Sequence, residues 1–493
     1  MSSATVAGGA GMPWAPPAPG AYSRSLRFGE WISEPVTPLF ESWLLTAMEE
    51  RFHAGLRHVI GQRIPRPYHV TVNGWYFYTL NWLAPSAWAR NLPTMLWRVL
   101  RTPRVMAGIF PPTVSFALPL LEREWRIDIQ PSYRAAAADA ERRVETLPVA
   151  ELPALIDDLA DRAGAYYVSV VGLAGAAYKM EINLARFYRR HVRDAVGGGS
   201  HLSLLAGFEP PTDPDRHAVA SLDWWHAPLP HAATARTSPE DHRRLVEARQ
   251  GAEAAAFEAL ASSPGRLSTF RRLLVGAQHL VPLREEQVRE WTITWPVMRR
   301  AVLRIGAALA ARGAIGVPED VFFLNRDEAL AALDGGGLPA DVNVAGRRSR
   351  RDEQARLLAP LLAGRLNPLL QRFWDAYPRM FGAVRSDRAI VSGWPASPGR
   401  ASGFVRVVMG PDEFGALQPG EILVAPITAP AWTPLFTLAA AVVTDVGTAA
   451  SHASIIAREY GIPAVVGCGD ATAQLRTGMR VTVDGGTGNV EPV

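Results

Sequence analysis

The residues best suited to chemistry lie together in TDVGTAASHASIIAREYGIPAVVG, positions 444–467. A run of β-branched and small apolar residues ends at Asp445. Gly447 then permits a turn that other residues resist. Thr448 is small, so a bulky group can approach. Ser451 is a natural helix N-cap, which puts His452 in the first helical turn. Unpaired backbone N–H groups and the positive end of the helix dipole gather there. Such a terminus receives phosphate, including a phosphoryl group carried on an imidazole nitrogen. A neutral imidazole is a nucleophile near neutral pH, and the dipole disfavours its protonated form. The hydroxyls of Thr448 and Ser451 are candidate contacts for phosphoryl oxygens. The competing reading is a surface histidine beside an N-cap, and the motif by itself leaves both open.

Two strands and one short helix must hold this segment. AAAVVTDV and PAVVG read as strands, with SHASIIAREYG between them as a helix stopped by Gly461 and Pro463. Together they make a β-α-β unit. ASGFVRVVM, EILVAP and MRVTVDG add further strands, so the region from about 388 onward is expected to be a compact β/α domain. DRAIVSGWPASPGRASG, which precedes it, has the composition of a linker, and a hinge is expected near 387–400.

The rest of the sequence has another texture. Thirteen of the fifteen Trp residues precede position 391, in a region rich in Arg, Leu and Ala with helical periodicity. Helices are expected over 38–57, with Thr37 as N-cap and Pro38 at N1, and over 141–163, 165–190, 238–262 and 284–312. The last is either continuous or broken at Pro296. The N-terminus, rich in Ala, Gly and Pro, reads as a disordered tail over 1–26. It lacks the basic and apolar regions of a secretory signal. The uncharged stretch 163–178 is short for a membrane span and reads as a buried core helix. A single cysteine, Cys468, rules out an intrachain disulfide and fits a cytoplasmic location. Formal net charge is +4 over 493 residues, which gives no strong electrostatic case for nucleic acid.

The segment from Gly393 to Val490 resembles the mobile phosphohistidine domain of the phosphoenolpyruvate-utilising enzymes. The resemblance rests on Gly393, Ser397, Pro398 and Gly399 at its start. It continues through Thr444, Asp445, Gly447, Ser451, His452, Ala457, Arg458, Glu459, Gly461, Ile462 and Pro463, and ends on Asp484, Gly485 and Gly488. It implies that His452 carries a phosphoryl group, with Gly447, Thr448 and Ser451 around it. Thr448 stands where the family usually has a second glycine. More weakly, SEPVTPLFESW (33–43), VNGWYFY (72–78), residues 283–330 and GRRSRRDEQAR (346–356) are similar, in order, to the substrate-binding domain of rifampicin phosphotransferase and its relatives.

In that family an ATP-grasp domain converts ATP to AMP and phosphate and loads the histidine. No phosphate-binding G-x-x-x-x-G-K-[ST] occurs here, and the first 390 residues read as too helical for such a domain. The resemblance therefore implies a split enzyme, as in phenylphosphate synthase. ATP and Mg²⁺ would sit on a separate ATP-grasp partner, with no metal ligands here. The acceptor would be a small-molecule hydroxyl. Candidate acceptor-side residues are Arg289, Arg300 and Arg304, read as one helical face, and His69, with His226 and His279, as bases. Trp75, Tyr76, Tyr78, Trp82, Trp224, Trp225 and Trp295 are candidate pocket walls, or ordinary core.

The expected fold is multidomain α plus α/β. It comprises a tail (1–26), a large helical substrate-binding-like domain (27–386) and a swivelling β/β/α phosphohistidine domain (387–493). The expected function is a phosphotransferase component. The alternatives are a non-catalytic phosphocarrier or regulatory module, and a degenerate scaffold.

Overall fold

The computed structural model describes residues 14–24, 32, 34–60, 66–80, 122–208, 222–227, 239–357, 359–360, 362–366, 368, 371–372, 388–428, 432–448 and 451–493. Trp82 and the proposed boundary near 386–387 lie outside them. The fold is mixed, with helices dominating the first part and a large sheet the second.

The helical part is organised along α3 (Leu152–His191), a helix of 40 residues and so roughly 60 Å long. On it pack α1 (Thr46–Ile60) and α5 (Pro264–Trp291); α2 (Gln130–Arg143), α4 (Pro239–Ala259) and α6 (Trp295–Ala311) complete the layer. Two expected helices, 141–163 and 165–190, prove to be one. The chain breaks earlier, after Arg143, and runs on through Gly164. A Cβ at Gly164 would lie 2.9 Å from Arg51 Cβ and 3.2 Å from the Ala47 carbonyl. That close crossing of α1 explains a glycine that costs a helix interior about 1 kcal/mol.

Trp291 fixes the centre of this core. Its indole donates to the Ala163 carbonyl at 2.9 Å, and Tyr167 stacks on it at 5.4 Å. Thr37 does precede Pro38 at the first helical start, but its side chain does not cap. Its hydroxyl and its N–H both go to the Asp223 carboxylate, at 2.9 and 2.5 Å.

The helical part also carries a four-stranded sheet in the order β2-β3-β1-β4, with β1 (Ala21–Ser23), β2 (His69–Val72), β3 (Trp75–Thr79) and β4 (Leu362–Gly364). The expected tail is thereby corrected for residues 14–24. Tyr22 is buried, β1 pairs with both β3 and β4, and Trp14 packs on Phe77. Two more helices, α7 (Arg326–Leu333) and α8 (Val344–Ala355), follow α6.

The second part is one eight-stranded sheet, β5-β12-β11-β7-β8-β9-β10-β6. The strands are β5 (Val391–Ser392), β6 (Trp394–Ser397), β7 (Arg400–Val407), β8 (Ile422–Ala425), β9 (Ala441–Thr444), β10 (Ala464–Val466), β11 (Arg480–Asp484) and β12 (Asn489–Pro492). Strands β7 to β10 are parallel, and the other pairings are antiparallel. ILVA, AVVT and AVV are continuous apolar runs because both faces of these strands are buried. Helices α9 (Thr433–Phe436) and α10 (His452–Tyr460) pack on one face and α11 (Ala471–Gln474) on the other. The expected hinge over 387–400 is corrected. Residues 391–397 are edge strands: Trp394, Pro395 and Ser397 register with Val466, Val465 and Ala464 of β10.

Candidate functional site

Parallel strands end on a common carboxyl edge, where ligands gather in sheets of this kind. Here β8 leads to Thr428, β9 to Asp445 and β10 to Cys468. Between β9 and α10 the chain turns at Gly447, whose φ is +150°. A Cβ there would meet Val466 Cβ at 3.0 Å and Ser451 Oγ at 3.1 Å, so the turn demands glycine twice over.

Ser451 is the N-cap of α10 in extended conformation, as the sequence suggests, and His452 opens the helix. The cap works differently from the usual pattern, without a bond from the Ser451 side chain to the helix backbone. Ser451 Oγ instead meets Ser454 Oγ at 3.1 Å, and Ser454 donates to the Thr448 carbonyl at 2.6 Å. Gly461, in left-handed conformation, ends the helix.

The imidazole of His452 is only 6% exposed. Its Nδ1 faces the Thr428 hydroxyl at 3.3 Å and its Nε2 faces the Thr433 hydroxyl at 3.5 Å, with the Phe436 ring edge-on at 6.2 Å. Gly447, Thr448 and Ser451 shape the turn that leads into the helix: the Ser451 N–H donates to the Thr448 carbonyl at 2.9 Å. Thr428 and Thr433 were missed by sequence reasoning, because they come from the β8–α9 connection and no local pattern links them to His452. Hydroxyls facing both ring nitrogens can hold either tautomer and can turn to a phosphoryl oxygen.

Asp445 does not touch His452. Its carboxylate accepts from the backbone N–H of Thr472 at 2.9 Å and from the Thr472 hydroxyl, and so ties the β9 end to α11. Burial raises its pKa from 3.8 to about 6, against those hydrogen bonds, with Asp470 adding to the rise. Burial also pushes the Cys468 thiol well up, so it is no thiolate.

Helix α10 lies on the helical part. Ile455 enters a small recess lined by Ala177, Leu205, Leu280 and Val281. Arg458, 2% exposed, points Nη1 at Glu181 of α3, 3.6 Å away and itself 6% exposed. Arg284 lines the same recess, and His201 is 3.9 Å from Glu181. The Phe208 N–H donates to Glu459 at 3.1 Å. These contacts seat the histidine's helix against the helical domain. The motif positions Arg458 and Glu459 were visible in sequence, but their partners were not.

The other candidates lie elsewhere. Arg289 ends α5, whereas Arg300 and Arg304 belong to α6, beyond a turn at Thr292–Thr294, so the three do not form one helical face. Arg300 pairs with Glu141 at 2.5 Å, and Arg304 donates to the Val144 carbonyl, so both bind α6 to the end of α2. His69 Nδ1 is 2.9 Å from Glu49, and its ring stacks on Tyr76 at 5.8 Å. Against burial, His53 and His69 beside the carboxylate and the Tyr68 N–H bonded to it hold Glu49 well below the usual carboxylate range, and among the described residues neither His69 nor Glu49 pairs with a residue of α10. His226 pairs with Glu34 and His279 with Glu122. Trp75, Tyr76, Tyr78, Trp224 and Trp295 are core residues, and Trp225 packs on Phe322 and Phe323.

A histidine at a helix N-terminus on the carboxyl edge of this sheet defines a class: residues 417–488 match the family described as PEP-utilising enzyme, mobile domain. Relatives agree. The chain is 39% identical over 198 residues to the uncharacterized phosphotransferase YvkC of Bacillus subtilis, covering 39% of this chain and 23% of that one. It is 49% identical over 117 residues to a phosphoenolpyruvate synthase of Aeropyrum pernix, covering 24% and 14%. It is 46% identical over 115 residues to the prodigiosin synthesizing transferase PigC of Serratia marcescens, covering 23% and 13%. This chain thus spans about a quarter or less of the length of these relatives. The YvkC match covers more residues than the 106 from 388 to 493 (493 − 388 + 1), so it includes part of the helical domain.

Proposed function

We propose that this chain is the acceptor-side component of a phosphotransferase. His452 takes a phosphoryl group from a separate ATP-grasp partner, where ATP and Mg²⁺ bind and AMP and phosphate are formed. It then delivers the group to a hydroxyl of a small molecule held by the helical domain. The observation that carries this reading is the seating of α10. A buried histidine, faced by the hydroxyls of Thr428 and Thr433, lies on a helix held to the helical part through Arg458–Glu181 and Phe208–Glu459.

Delivery is a matter of placement and charge neutralisation more than covalent chemistry. The N–P bond breaks as a P–O bond forms to the acceptor, and the hydroxyl proton ends on the vacated ring nitrogen. The helix N-terminus stabilises the phosphoryl dianion while it waits. Exclusion of water at this buried position favours transfer over hydrolysis. Among the described residues no helix is long and apolar enough to cross a membrane, and a cytoplasmic setting suits the ATP supply.

The test is intact mass after incubation with Mg-ATP and the candidate partner, beside His452→Ala. One phosphoryl group, labile to acid, stable to base and missing in the variant, is the expected result. No gain with a partner that hydrolyses ATP would overturn the carrier role.

A further inference from the structure

The charges at the seat of α10 divide unequally between the two parts of the molecule. Arg458 travels with α10, whereas Glu181 and His201 stay with the helical part. His201 opens the short turn His201–Leu205, whose start Ser200 caps by accepting from the Leu202 N–H at 3.3 Å. The turn is tied down on two sides. Gln278 of α5 donates to the Leu204 carbonyl at 2.9 Å, and Arg249 of α4 donates to the Ala206 and Gly207 carbonyls at 2.7 and 2.8 Å. With α10 seated, Glu181 Oε1 lies 3.6 Å from Arg458 Nη1 and 3.9 Å from His201 Nε2. Glu181, Arg458 and His201 are all buried. Among the described residues, neither Glu181 Oε1 nor His201 Nε2 has a hydrogen-bond partner. One carboxylate oxygen thus stands between two nitrogens, close to both and bonded to neither.

A buried carboxylate needs a cation beside it, because its desolvation otherwise goes unrepaid. While α10 is seated, a guanidinium meets that need at any pH a protein tolerates. Once α10 is withdrawn, His201 remains, and an imidazole brings a charge only when protonated. In the seated state Arg458 also opposes that protonation, as a like charge on the same carboxylate. The released state therefore binds a proton at His201 more tightly than the seated state does. By linkage, falling pH favours release and rising pH favours seating. Other charges around the turn are engaged. Glu459 of α10 accepts from the Phe208 N–H, and Arg249 and Glu253 of α4 face each other at 3.6 Å. Strand β6, which also packs on the turn, carries no titratable side chain.

We propose that His201 is a proton-operated release for the carrier helix: its protonation draws Glu181 from Arg458 and frees α10 from the helical part. The release itself rests on the seating contacts alone. Its use in turnover rests on the carrier reading, in which α10 must leave the acceptor side before His452 can be reloaded. His452 is buried while α10 is seated, so a setting that favours release favours reloading. The rival is Arg284 of α5, which lines the same recess as Glu181 and Arg458. Were Arg284 to take Glu181 on release, the seat would answer to no proton.

Hydrogen exchange on the full chain, without phosphoryl group or partner, separates the two. Exchange of the α10 amides is read at about pH 8 and about pH 5.5, on either side of the range in which imidazoles change charge. Each rate is divided by that of the unfolded chain at the same pH, which removes the intrinsic pH dependence of exchange. Protection of α10 in wild type is expected to fall about tenfold at the lower pH, within the usual range of coupling between two sites. His201→Gln and Glu181→Gln should each show no such fall. Asp445 also titrates, at about 6, so the difference between wild type and His201→Gln is the measure. Protection of α6, which takes no part in the seat, shows whether each variant is folded. Equal protection of wild-type α10 at the two pH values, or an equal fall in His201→Gln, would overturn the release. A His452 that takes no phosphoryl group from the partner would overturn the carrier reading and leave the release standing.

Discussion

The two halves of the molecule place their polar groups in opposite ways. In the sheet domain the polar groups of the site come from a few neighbouring turns on one edge, and Gly447, Thr448, Ser451 and His452 lie within six positions of one another. In the helical domain the groups that receive α10 come from far apart in the chain: Glu181 late in α3, Leu205 and Phe208 after it, Arg284 in α5. The first arrangement is a module that works wherever it is seated. The second is an assembly that exists only in the folded domain. The carrier should therefore tolerate change in its seat, while the seat depends on residues that no motif binds together.

The sharpest test of that contrast is Glu181→Ala. It removes the carboxylate 3.6 Å from the buried Arg458, a loss of up to roughly 3 kcal/mol. Amide exchange in α10 should rise steeply, while loading of His452 by the partner persists. The double variant Glu181→Met with Arg458→Met should recover most of that stability, since an apolar pair can replace a buried ion pair. A Glu181→Ala protein with unchanged exchange in α10 would break the comparison.

Asp445→Asn comes next. The folded-state pKa of Asp445 is raised, so its contribution to stability is full below about pH 4 and lost as pH rises through about 6. Arg24 and Asp470 are the charges that face it, and Arg24 keeps its proton across this window. The asparagine variant should match wild type near pH 4. It should be more stable at pH 7 by on the order of 2 kcal/mol, as read from denaturant midpoints at the two pH values.

Gly447→Ala should cost about 1–3 kcal/mol through its positive φ and the contact with Val466. Loading of His452 should slow by roughly two- to tenfold if half of that falls on the loading step. Arg300→Ala should change stability by about 0.2–1 kcal/mol and leave loading unaltered, since its partner Glu141 lies on the surface.

The same contrast decides what could be read in advance. Strands β7 to β11, the start and the glycine end of α10, and His452 with its turn were legible because each depends on neighbours in sequence, whereas the bond of Ser451 to Ser454 in place of a backbone cap was not. Strands β5 and β6 read as a linker. Gly393, Pro395 and Gly399 are turn residues, and the pairing that makes 394–397 a strand comes from β10, almost 70 positions on. Strand β1 was hidden in an Ala- and Pro-rich stretch for the same reason, its partners being β3 and β4. Arg300 and Arg304 do share a helical spacing, but spacing gives a face and not what the face meets. Here it meets the end of α2.

Helix α10 has one more consequence. It bears the reactive ring at one end and the seating residues Arg458 and Glu459 near the other. Six residues separate His452 from Arg458, roughly 9 Å along a helix axis. The helix is thus a gauge of fixed length. On the carrier reading, once Arg458 meets Glu181 the reach of the imidazole into the helical domain is set, and an acceptor hydroxyl must lie at that mark. A change of acceptor then calls for remodelling the floor beneath the gauge and leaves the gauge itself alone.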